Sequence, residues 1–247
     1  MLLLDIGNTA AKWRWYDGAQ CQQGEAVHQR DWPALVARLQ QPLKASQQVE
    51  VASVAGAKAD TELAQALSEG SAATPSFYYS PAADAGVRNA YQQPARLGVD
   101  RWLAIVESWH RCGASIVVDC GSALTLDLVD RHGQHHGGYI VPGLGMMVRS
   151  LQQGTGSVRV DAPLPLSLAP GCSTAEGVIH GALRMTCAFI DDAVVALRQR
   201  VHDTCPIFLT GGDARTVLPF LRQQGELAPD LVLDGLERVV ALRDCGE

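Results

Sequence analysis

Two stretches of this chain carry the same pattern, and that repetition limits the folds open to it. Leu2-Leu3-Leu4-Asp5-Ile6-Gly7-Asn8-Thr9 is an apolar run that ends in Asp-x-Gly and a small polar residue. Ile116-Val117-Val118-Asp119-Cys120-Gly121-Ser122-Ala123 repeats it in the second half. A further strand-like run follows each copy, at residues 10–16 and 124–129, and Asp17-Gly18 and His132-Gly133 then supply turns. Two copies of strand, tight loop and strand predict two similar lobes facing each other, residues 1–112 and 113–247.

The segments between the copies alternate in type. Helices are expected at 31–44 and 60–69, each opened by an Asp, with a strand at 49–54 between them. The second lobe should hold a long helix from 173 to 201, a strand at 206–210, the turn Gly211-Gly212 and two shorter helices. Strands alternating with helices indicate an α/β fold. Residues 70–86, rich in Gly, Ala, Ser and Pro, read as a mobile surface connection.

Composition narrows the function classes. With 47% hydrophobic and 19% charged residues the chain can bury a core. It has no apolar run long enough to span a bilayer, and its first residues lack the basic region of a signal peptide. No membrane association is expected. A net charge of −6 is wrong for a phosphate-backbone surface, so no nucleic-acid partner is expected either. The seven cysteines, Cys21, Cys112, Cys120, Cys172, Cys187, Cys205 and Cys245, form no Cys-x-x-Cys pair. Reduced thiols in a cytoplasmic protein fit that spacing.

The first loop, Asp5-Ile6-Gly7-Asn8-Thr9-Ala10-Ala11-Lys12, has the parts of a phosphate cradle. Gly7 lets backbone N–H groups approach, Asn8 and Thr9 add donors, and Asp5 can hold Mg²⁺ directly or through water. A plain hairpin with a solvated Lys12 fits the same residues. The second copy, running on to Asp127, favours the phosphate reading, because duplication for structure alone need not keep Asp-x-Gly. Strand alternation places Trp13 and Trp15 on one face, Lys12 and Arg14 on the other. Thr210-Gly211-Gly212-Asp213 is either a turn that lies flat against a nucleotide or a tight strand-to-helix connection. His132, His135 and His136 sit among glycines, which suggests an exposed hairpin tip rather than a zinc site. Cys120 reads as a packing residue.

Asp-x-Gly-Asn-Thr near the start, Asp-x-Gly-Ser-Ala in the middle and a late Thr-Gly-Gly resemble the nucleotide-binding signature of the acetate kinase/sugar kinase/Hsp70/actin superfamily. Between the loops, Tyr91-Gln92-Gln93-Pro94-Ala95-Arg96-Leu97-Gly98-Val99-Asp100-Arg101 resembles the substrate element of type III pantothenate kinases. Gly137-Gly138-Tyr139-Ile140-Val141-Pro142-Gly143, Ser173-Thr174-Ala175-Glu176-Gly177 and Leu231-Val232-Leu233-Asp234-Gly235-Leu236 continue the likeness.

The resemblance implies an α/β fold of two ribonuclease H-like (actin-like) lobes with an ATP cleft between them. It implies that Asp5, Ile6, Gly7, Asn8, Thr9, Ala10, Ala11, Lys12 and Ser122 contact ATP. Tyr91, Gly98, Val99, Asp100, Arg101 and Thr174 would contact pantothenate, with Asp100 accepting its hydroxyl proton. Asp119 would lie at a monovalent cation, K⁺ or NH₄⁺, and the chain would act as a homodimer. Ser122 stands where the family more often has Thr, which keeps the hydroxyl. Bland alternatives stand beside two of these roles. Asp100 could serve only its helix start, and Ser173-x-x-Glu176 fits a capping box that leaves Thr174 to the substrate. A regulator without kinase activity, like proteins called Bvg accessory factor, is the rival reading.

Overall fold

The apolar run before Asp5 forms strand β1 (Leu2–Ile6), with Leu2, Leu3, Leu4 and Ile6 fully buried. Such a run, apolar on both faces, marks a central strand. β1 pairs antiparallel with β2 (Ala10–Asp17), which pairs with β3 (Gln20–Val27). On its other side β1 lies parallel to β4 (Val49–Ser53), and β4 to β5 (Ser76–Tyr78). The computed structural model describes all residues except 72, 157, 161–163, 203 and 247.

One face of this sheet packs on α1 (Trp32–Arg38), α2 (Gln40–Ala45) and α3 (Ala57–Gly70). Leu2, Leu4, Ile6 and Trp15 meet Trp32, Leu35, Leu39, Leu43, Leu63 and Leu67 there. Each such side chain contributes about 1.5–3 kcal/mol on burial. The expected helix over 31–44 is two helices. Pro42 has no N–H, and in a continuous helix its ring would clash with the Arg38 carbonyl, so the chain breaks at Leu39. Asp31 caps α1, accepting from Ala34 N at 3.0 Å. α3 starts earlier than expected, at Ala57, and Asp60 lies inside its first turn, accepting from Ser53 Oγ. The 70–86 stretch is not a simple connection: it supplies β5 and leads to a short hairpin, β6 (Ala83–Asp84) and β7 (Val87–Arg88). α4 (Val99–Cys112) follows.

The opposite face of the sheet is covered by α8 (Leu231–Cys245). This corrects the expected lobe boundary. The chain divides into Met1–Glu107 with Asp230–Glu247, and Ser108–Pro229. The physical reason lies on β2 and β4. Arg14 is buried and bonds Asp234 and Glu237, each at 2.6 Å, and Tyr16 donates to Glu237 at 2.7 Å. Burial works against the charge on Arg14, but the hydrogen bonds it donates to Asp234 and Glu237 outweigh it and raise the guanidinium pKa. Arg243 likewise reaches the buried Glu50. Removing α8 would leave buried charges unpaired, a cost of about 3–5 kcal/mol for each broken pair.

The second unit repeats the plan. β8 (Ser115–Cys120) pairs antiparallel with β9 (Ala123–Val129), and β9 with β10 (His135–Pro142). β11 (Ile207–Thr210) lies parallel to β8, and β12 (Glu226–Leu227) to β11. The strand orders β3-β2-β1-β4-β5 and β10-β9-β8-β11-β12 are the same when read by position along each unit. α5 (Leu144–Gly154), α6 (Thr174–Val201) and α7 (Ala214–Val217) complete the unit. Leu183, Ile190, Val194 and Leu197 of α6 pack on Ile116, Val118, Leu124, Leu126 and Leu128. Ser173 caps α6, accepting from Glu176 N at 3.2 Å, while the Glu176 carboxylate reaches back to Cys172 N at 2.7 Å.

Candidate active site

In the first unit, Gly7 N donates to Ala10 O at 2.9 Å and closes the tight loop between β1 and β2. Asp5 and Lys12 stand opposite each other in the strand register, at the two feet of that loop. Asn8 and Thr9 are exposed at its tip. Ile6 and Ala11, also expected at ATP, are fully buried in the core, so only their backbone can serve a ligand. Lys12 shares its β2 face with Arg14, as alternation requires. Beneath the loop lies a residue that sequence reasoning missed, His28, whose Nε2 is 3.0 Å from Gly7 O. The two are 21 positions apart, and no local pattern links them.

The head of α4 gathers the expected substrate residues. Arg101 is 6% exposed, and its Nη1 donates to the Tyr91 hydroxyl at 2.9 Å, with the guanidinium 5.8 Å from that ring. Tyr91 is fixed in turn by Asn89, whose Oδ1 accepts from Tyr91 N at 2.9 Å. The Asp100 carboxylate turns back on the helix start and accepts from Arg101 N at 2.7 Å. It also explains Gly98, because a Cβ there would lie 2.6 Å from Asp100 Oδ1. Gly98 and Val99 line a concavity of about 680 Å³ whose walls include Ser53, Val54, Phe77, Tyr79 and Ser80. The arrangement puts a carboxylate and a positioned guanidinium on one helix turn, which suits proton acceptance beside an anionic group.

In the second unit the base of the corresponding loop is covered. Oδ1 of Asp119 is buried, and a Cβ added to Gly211 would fall on it. Asp213 N donates to Cys120 O at 2.9 Å, so the Gly211-Gly212 turn lies against the loop. Behind it, Gly143 N donates to Ser122 O at 3.2 Å, and a Cβ on Gly143 would meet the Gly121 and Ser122 carbonyls. Ser122 itself is exposed, and so is Thr174 at the start of α6. Burial pushes the Cys120 thiol up to about 12. Burial also raises the Asp213 carboxyl, against the opposing pull of Arg149.

The expected histidine tip is corrected in one respect. His132 is exposed, but His135 is 1% exposed and bonds the buried Asp127 at 3.0 Å, while His136 bonds Asp130 at 2.7 Å. A bulge in β10 between His135 and Gly138 turns the first ring inward. Among the described residues no three His, Cys, Asp or Glu side chains converge as a metal cage. Among them, too, no helix is long and apolar enough to cross a membrane.

Comparison with known proteins shows the family and the fold. A family model described as type III pantothenate kinase matches residues 1–196. A type III pantothenate kinase from Alcanivorax borkumensis is 48% identical over 242 residues, which are 98% of each chain. A solved Campylobacter jejuni protein, assigned to a Baf family of transcriptional activators, superposes with a TM-score of 0.61 at 18% identity. The match covers 99% of this chain and 100% of that one. A Sinorhizobium meliloti protein assigned as a 2-dehydro-3-deoxygalactonokinase gives a TM-score of 0.60 at 11% identity, over 98% of both chains. At such identities the likeness is one of fold, and with the two mixed sheets it bears out the α/β, actin-like class.

Proposed function

The chain belongs to the type III pantothenate kinase family, and we propose that it transfers the γ-phosphoryl group of ATP to the hydroxyl of pantothenate. The product is 4′-phosphopantothenate, and the reaction is the first step of coenzyme A biosynthesis. The observation that carries this reading beyond the family match is the Tyr91, Asp100 and Arg101 cluster at the head of α4.

Catalysis of phosphoryl transfer is mostly positioning and charge stabilisation. The loop from Asp5 through Ile6, Gly7, Asn8, Thr9, Ala10 and Ala11 to Lys12 binds the ATP phosphates, joined by Ser122. Arg101, held by Tyr91, pairs with the substrate carboxylate, and Gly98, Val99 and Thr174 complete its contacts. As the hydroxyl oxygen bonds to the γ-phosphorus, the bond to the ADP oxygen breaks and the hydroxyl proton passes to Asp100. Asp5 would hold Mg²⁺, which neutralises phosphate charge when bound. A cation held by one carboxylate and the nucleotide's own oxygens needs no protein cage. Asp119 would hold the monovalent cation.

The second unit exposes apolar side chains that fit a homodimer. Ile140 is 60% exposed and Met185 64%, with Tyr139 and Met146 also open. An apolar α6 needs cover on more than one side, and a two-fold partner supplies it. A regulator without kinase activity is not favoured, since the Campylobacter likeness is one of fold.

An ADP-release assay tests the function: pantothenate should be turned over while a panel of sugars and other acids is not. Turnover of a sugar in preference to pantothenate would refute it. Activity in Tris should rise on adding K⁺ or NH₄⁺, and equal activity with Na⁺ alone would remove the cation role from Asp119. Sedimentation should give a dimer at micromolar concentration, and a fully active monomer would contradict the assembly.

A further inference from the structure

We propose that His28 is a positioning residue that aims the first loop's backbone at the nucleotide. This rests on reading residues 5–12 as the phosphate loop. His28 is 4% exposed and its ring stacks on Trp32, with centroids 4.8 Å apart. Both ring nitrogens are engaged by backbone. Arg30 N donates to Nδ1 at 2.9 Å, so the ring proton sits on Nε2. Nε2 therefore donates to Gly7 O, 3.0 Å away.

The effect on the loop follows from the planar trans peptide. The carbonyl of Gly7 and the N–H of Asn8 belong to one peptide unit and point in opposite directions. Holding Gly7 O against the buried ring therefore turns Asn8 N–H to the other side, where Asn8 is exposed. An outward backbone N–H beside a glycine is what a phosphate oxygen requires.

The chain goes to some expense to hold the ring there. Gln29 and Arg30, neither of them glycine, take φ values of 42° and 64°. This left-handed pair turns the backbone so that Arg30 N reaches back to the ring and Asp31 N reaches His28 O at 2.6 Å. His28 N also donates to Thr9 O at 3.2 Å, tying the same residue to the far side of the loop. Strain of this kind persists where surrounding contacts over-determine it, and it clusters at functional sites.

Two substitutions separate the ring's two bonds. A Gln amide can place its N–H₂ near the Nε2 position, whereas an Asn oxygen reaches only the Nδ1 position. Steady-state kinetics on the full chain, varying ATP and pantothenate separately, should show His28→Asn with an ATP KM raised roughly fivefold to tenfold, the worth of one hydrogen bond. Its pantothenate KM and kcat should stay near wild type, and His28→Gln should recover the ATP KM. An unchanged ATP KM in His28→Asn, or equal loss in both variants, would overturn the proposal. Nitrogen NMR of the wild-type ring provides a measurement independent of how the variants fold: the Nε2–H tautomer is expected, and the Nδ1–H tautomer would overturn it. Asn8→Pro, which deletes the amide hydrogen itself, tests the underlying reading. A normal ATP KM in that variant would fault residues 5–12 as the phosphate loop, whatever His28 does.

Discussion

The two Asp-x-Gly loops share sequence and topology but not surroundings. In the first unit the loop tip is open: Asn8 and Thr9 are exposed, and a Cβ on Gly7 would meet only Ala10 O, at 3.1 Å. In the second, Ser122 at the tip is also exposed, but Gly143 and the Gly211-Gly212 turn close on the base of the loop and Asp119 Oδ1 is buried. One supersecondary plan thus stands in two different settings. The open copy shares its unit with the Tyr91, Asp100 and Arg101 cluster at the head of α4. The covered copy holds a carboxylate in a fixed place. The difference comes from the turns at the ends of β10 and β11, not from the loops themselves.

The largest effect should come from the unit with the open loop. Asp100→Asn keeps an oxygen for Arg101 N but cannot take a proton, so kcat should fall by about 10²–10⁴-fold with little change in Tm. Near-normal turnover would return Asp100 to the role of serving its helix start.

Next comes a contrast between the turn that covers the second loop and the uncovered tip of the first. Gly211→Ala puts a methyl on Asp119 Oδ1 at a φ of +86°, and should destabilise the protein by about 3 kcal/mol or more in urea unfolding. Gly7→Ala should cost about 1 kcal/mol or less, since its neighbour need give only a few tenths of an ångström. Equal losses would erase the distinction between open and closed.

Thiol chemistry probes the same cover. Cys21, Cys112, Cys172 and Cys245 are exposed and should react with a thiol reagent in the native protein, while Cys120, Cys187 and Cys205 should wait for unfolding. Native labelling of Cys120 would show the second loop to be open. Burial holds the Cys120 and Cys187 thiols up at about 12 and about 11, above the ordinary 9.0. The unfolded chain therefore loses these protons first. Their contribution is full below pH 9 and is lost as pH rises through the folded values, so unfolding free energy should decline across that window. The smallest effect should be Ser122→Thr, which keeps the exposed hydroxyl: ATP KM should move by about twofold or less.

Much of this protein was legible before any fold was drawn. The two Asp-x-Gly repeats, their flanking strands, the Asp31 and Ser173 caps and the long α6 depend on local periodicity and short-range hydrogen bonds. A local pattern is visible in local sequence. The family's ordered motifs also led to Tyr91 and Arg101, which the structure brings together.

Other features were decided only by tertiary packing. The last helix joins the first unit because Arg14 and Glu50, buried on one face of its sheet, need partners more than 190 residues away along the chain. His28 reaches Gly7, and Gly211 makes room for Asp119, through contacts between segments whose separation in sequence carries no period. His135, which reads as part of a polar turn, is drawn inside by Asp127. In each case the deciding term is desolvation: a buried polar group must find its partner wherever the chain can bring one. Composition and spacing record which groups need partners, but only the folded chain decides which partner is within reach.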